Sequence, residues 1–73
     1  MTTRTNRLAL LEEATRIAAR AEHLVIRWRA AADLADVNLG AATAPTLRAE
    51  LRTRIATLRR CANQLAALLR PRP

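Results

Sequence analysis

The chain has 73 residues, 51% of them apolar, with one aromatic, one cysteine, one histidine and a formal net charge of +7. A single cysteine excludes an intrachain disulfide, one cysteine and one histidine cannot assemble a zinc site, and one core at this length supplies only about 3 to 5 kcal/mol. The apolar residues are mostly alanine and leucine, a composition that favours helices and gives little to a sheet, so an all-helical fold is expected.

The opening Met1 to Thr5 is polar, and Thr3 or Thr5 can cap a first helix by accepting a backbone N–H. Alternate steps of four and three residues then pick out Leu10, Ala14, Ile17, Ala21, Leu24, Trp28, Ala31, Ala35 and Asn38 on one side of a helix. A flanking row at intervals of seven, Leu11, Ala18, Val25, Ala32 and Leu39, widens this stripe. No glycine or proline interrupts it before Gly40, so a helix over about residues 5–39, roughly 50 Å long, is expected. Gly40 then suits a left-handed C-terminal residue, and residues 40–44 a short turn.

Pro45 has the fixed φ and missing N–H that a first helical turn tolerates, and Pro71 cannot continue a helix. Between them Leu47, Leu51, Arg54, Leu58, Cys61, Leu65 and Leu68 repeat with helical spacing, flanked by Ile55, Ala62 and Leu69. A second helix over about residues 45–69 with a tail at 70–73 follows. So short a link makes the helices antiparallel neighbours in one hairpin domain spanning residues 1–73. If Leu39 lies near Pro45, Leu69 falls near Thr15, leaving Leu8, Leu10 and Leu11 uncovered. Both stripes are wider than one contact needs, so self-association into a four-helix bundle, most simply a homodimer, is expected. Its interface, or that with another protein, would use Leu8, Leu10, Leu11, Ile17, Leu24, Trp28, Leu51, Leu58 and Leu65.

Charge is uneven. Residues 1–40 carry net +1, whereas residues 41–73 hold seven arginines against Glu50. Arg48, Arg52, Arg59, Arg60 and Arg70 form a candidate face for an anionic partner. Glu12 with Arg16 and Arg29 with Asp33 have the spacing of helical ion pairs; Asp36 is expected opposite Arg48, and Arg54 either reaches Asp33 or extends outward. Trp28 reads as a core or interface filler, Cys61 as a buried apolar residue and His23 as a solvated one.

No glycine-rich phosphate loop, serine nucleophile or Cys–His pair is present, and no catalytic, cofactor or metal site is expected. Two functions remain: a protein-interaction module, such as a phage- or plasmid-type regulator or assembly factor, or nucleic-acid binding through the second helix. No apolar run is long enough to span a membrane, and with a free thiol a cytoplasmic location is expected.

Overall fold

The computed structural model describes the backbone of residues 2–70 and the side chains of residues 6–70. Two helices, α1 (Thr2–Ala41) and α2 (Pro45–Leu69), pack against each other as an antiparallel hairpin joined by Ala42, Thr43 and Ala44. The cap expected of Thr3 or Thr5 and the tail beyond Arg70 lie outside the described side chains. Proline sets both ends of α2. Ala44 (φ −71°, ψ 126°) and Arg70 (φ −66°, ψ 133°) are both extended, as the ring of a following proline requires.

Gly40 departs from expectation. It has no positive φ, and α1 continues through it to Ala41. The last turn closes without a left-handed residue because the Ala42 N–H donates to Asn38 O at 2.9 Å and to Leu39 O at 3.3 Å. The Arg48 guanidinium also donates to Leu39 O, at 3.0 Å, and to one further carbonyl, Ala42 O, at 2.8 Å. Gly40 is thus a weak helix former in a helical position, and a Cβ added there meets nothing within 4 Å. Gly40→Ala should therefore stabilise the protein by about 0.5 kcal/mol, raising the midpoint of a thermal melt by about 2 to 4 °C. A fall in that midpoint would mean that glycine serves some purpose other than ending α1.

The register also differs from the one expected. Leu69 lies with Val25, Ile26 and Glu22, not with Thr15. Two causes act together: α1 runs on through Ala41, and the first turn of α2 is taken up in crossing back, with Arg48 level with Leu39 to Ala42. Everything upstream of about Ala21 therefore has no α2 opposite it. That free stretch amounts to about 30 Å of helix at 1.5 Å per residue.

The contact between the helices is centred one row away from the stripe with the most leucines. The buried residues are Val25, Ala32, Ala35, Ile55 and Ala62, with Ala32 and Ala62 at 0% exposure. Trp28, Leu39, Leu51, Leu58, Leu65 and Leu69 are half-buried around them. Alanine at the closest approach lets the axes come to the near end of the usual 8 to 10 Å. The larger side chains of the neighbouring row, Leu10, Ile17 and Leu24 on α1 and Leu47 and Leu68 on α2, are consequently left facing outward.

The result is a ribbon with extents of 65 × 21 × 14 Å and a radius of gyration of 18.3 Å. A compact domain of this length would have a radius of gyration near 11 Å.

Candidate interaction surfaces

The ribbon has two broad sides, and the seven-residue rows of the helices divide them by chemistry. On one side α1 presents Glu22, Arg29, Asp33 and Asp36, and α2 presents Arg52, Arg59 and Asn63. Arg59 Nη2 lies 3.5 Å from Asp33 Oδ1 and 3.7 Å from Asp36 Oδ2. Arg29 Nη2 donates to Asn63 Oδ1 at 3.4 Å. These groups are well exposed, so each pair adds no more than about 1 kcal/mol. Together they pair Arg29, Asp33, Asp36, Arg59 and Asn63 across the two helices on this side.

The pairing corrects the expected one in three places. Asp36 meets Arg59, because Arg48 is held by the carbonyls at the end of α1. Asp33 likewise meets Arg59, while Arg54 is exposed on the opposite side. Arg29 turns to Asn63. The Asp33 and Asp36 pairings with Arg59 follow from the shifted register; the Arg29–Asp33 spacing lies within one helix and is independent of it, and Arg54 takes the outward alternative expected of it. Near the start of α1, Arg16 lies 4.0 Å from Glu12 and 3.9 Å from Glu13, a loose exposed cluster.

The other side is largely apolar. A groove of about 170 Å³ runs between the helices, lined by Ala31, Leu34, Ala35, Asn38, Leu51 and Arg54. The outer rows continue it away from the turn, through Leu24, Ile17 and Leu10 along α1 and through Cys61 and Leu68 along α2. Leu34 is 63%, Leu10 70% and Leu68 80% exposed. Single exposed leucines are ordinary, but a contiguous row of them marks a contact surface. Cys61 is half-buried at the edge of this row, less enclosed than its sequence position suggests.

Of the apolar residues singled out from the sequence, the structure separates two groups. Trp28, Leu51, Leu58 and Leu65 are half-buried between the helices of the hairpin, whereas Leu8, Leu10, Leu11, Ile17 and Leu24 are exposed. Leu34, Leu47 and Leu68 belong with the exposed set. The signal that finds Leu47 and Leu68 is the seven-residue step Leu47, Arg54, Cys61, Leu68, which is a row of its own beside the true contact row Arg48, Ile55, Ala62, Leu69.

The arginines divide as well. Arg48 and Arg59 are engaged within the hairpin, while Arg52, Arg54, Arg60 and Arg70 are exposed and make no ion pair with a described residue. His23 is exposed beside Arg20 and Arg27, in a shallow dimple floored by Ala19 and Leu24. Among the described residues no three of His, Cys, Asp and Glu cluster as metal ligands would, and no helix is long and apolar enough to cross a membrane. Compared with protein-family models, with curated proteins and with solved structures, the chain matches none.

Proposed function

We propose that this chain is a small, non-enzymatic helical binding module of the cytoplasm that acts through protein–protein contact. Its apolar side is completed by self-association into a four-helix bundle, and a regulatory or assembly role would be exerted through the same helices. The observation that carries this reading is surface area. The hairpin exposes 6359 Å², whereas a compact monomer of its mass exposes about 4500 Å². The excess, about 1900 Å² per chain, corresponds for two chains to the area that obligate dimers bury. Leu10, Ile17, Leu24, Leu34 and Leu68, all exposed, contribute to it on the apolar side.

A second reading, nucleic-acid binding, is favoured by the exposed and unpaired Arg52, Arg54 and Arg60 on a helix with Glu50 as its one acid. Phosphate contacts of this kind release counterions and weaken steeply with salt. Light scattering of the purified protein at low and high salt, with the 260 to 280 nm absorbance ratio of the same peak, tests both. A nucleic-acid-free dimer or higher oligomer stable in both salts is the expected result. A monomer in both salts would overturn the proposal, and nucleic acid shed at high salt would transfer the function to the arginines.

A further inference from the structure

We infer that the second copy lies antiparallel to the first, apolar side to apolar side, so that the free first half of each α1 rests along the helix pair of the other chain. This deepens the self-association proposed above and rests on it.

Two observations choose antiparallel over parallel. The first is length. The free stretch, about 30 Å, is shorter than the 25-residue α2, which is about 37 Å long, so each chain's two-helix portion can accommodate the other's single-helix portion. The assembly then has at least three helices at every level along about 60 Å. In a parallel pair the free stretches would meet only each other, and Leu10 and Ile17 would gain one neighbouring helix where the antiparallel pair gives them two.

The second is Arg54. It lines the groove on the apolar side, near the turn end of the hairpin. A parallel two-fold axis would bring both copies of Arg54 to the same level on facing surfaces, where like charges partly removed from water repel strongly. Antiparallel packing places them toward opposite ends, about 40 Å apart, well beyond the range at which their charges repel.

The test measures one distance. A spin label is attached at Thr43→Cys, on the exposed turn, in a Cys61→Ala background, and the distance between the two labels is read by pulsed electron resonance on protein whose mass is confirmed by light scattering. Antiparallel packing puts the turns at opposite ends, about 60 Å apart; parallel packing puts them within about 30 Å. A dimer with the long distance is expected. A dimer with the short one overturns the orientation while leaving self-association standing, and a monomer overturns both.

Discussion

Replacing Leu10 and Ile17 together by aspartate should dissociate the assembly while leaving the hairpin helical. Both side chains are on the apolar side, 70% and 59% exposed in the single chain, so the folded hairpin does not depend on them. In the assembly each would be covered. Burial of one such side chain contributes about 1.5 to 3 kcal/mol, and a two-fold interface contains each position twice. The lost burial alone reaches about 6 kcal/mol per dimer, more than a ten-thousandfold change in dissociation constant, before the cost of desolvating four carboxylates is added. The readout is mass by light scattering with far-ultraviolet circular dichroism on the same sample. Ile26→Asp is the control: Ile26 is equally exposed but lies beside Arg29 and Arg70 on the charged side, so its substitution should leave the mass unchanged. If the double variant keeps the parent mass, the apolar side is not the interface.

Arg48→Ala should cost the hairpin more than the loss of any of its other arginines. One guanidinium nitrogen of Arg48 donates to both Leu39 O and Ala42 O. It thereby gives Leu39 O a second donor beside the long bond from the Ala42 N–H, satisfies Ala42 O in the link, and ties the first turn of α2 to the last turn of α1. Hydrogen bonds from a charged donor contribute about 1.5 to 3 kcal/mol each when buried. Here the site is partly open and water can reach the freed carbonyls, so a loss of about 1 to 2 kcal/mol is expected in all. For a chain of this length that is a large share of the total. Urea unfolding measures it as a lower midpoint with an unchanged slope. An unchanged midpoint would mean that solvent replaces the guanidinium without cost, and that the link between the helices is held by packing alone.

The sequence makes the helices legible because their periodicity is long and uninterrupted, and α2 especially so because a proline stands just beyond each end. The error at Gly40 has a simple physical origin. Glycine permits a left-handed residue but does not impose one, and with Arg48 donating to nearby carbonyls the chain had no need of it to close α1. The register could not be read because it depends on how many residues the crossing consumes, which is a tertiary quantity. Every ion-pair expectation that relied on the register moved with it. The contact row was also misplaced, for an instructive reason: leucines weigh most in a hydrophobic stripe, yet Ala32 and Ala62 permit the closest approach and so decide where the helices touch. Placing the hairpin contact on the alanines releases the leucines for a second interface, and that division is where the sequence and the structure together say more than either alone.

The three-residue link has a kinetic consequence. Closing so short a loop takes nanoseconds, and helix formation and docking of α2 on the second half of α1 involve contacts close in sequence, so the hairpin belongs to the fastest class of folding reactions. Residues 6–21 cannot share in that speed. They have no partner in their own chain, and a helix of this length is marginal alone in water. In the proposed assembly they would be covered in a bimolecular step whose rate scales with concentration, so the chain would mature in two stages of different molecularity. A newly made hairpin at low abundance would thus persist as a half-finished molecule, receptive to any helix that reaches it before its twin does.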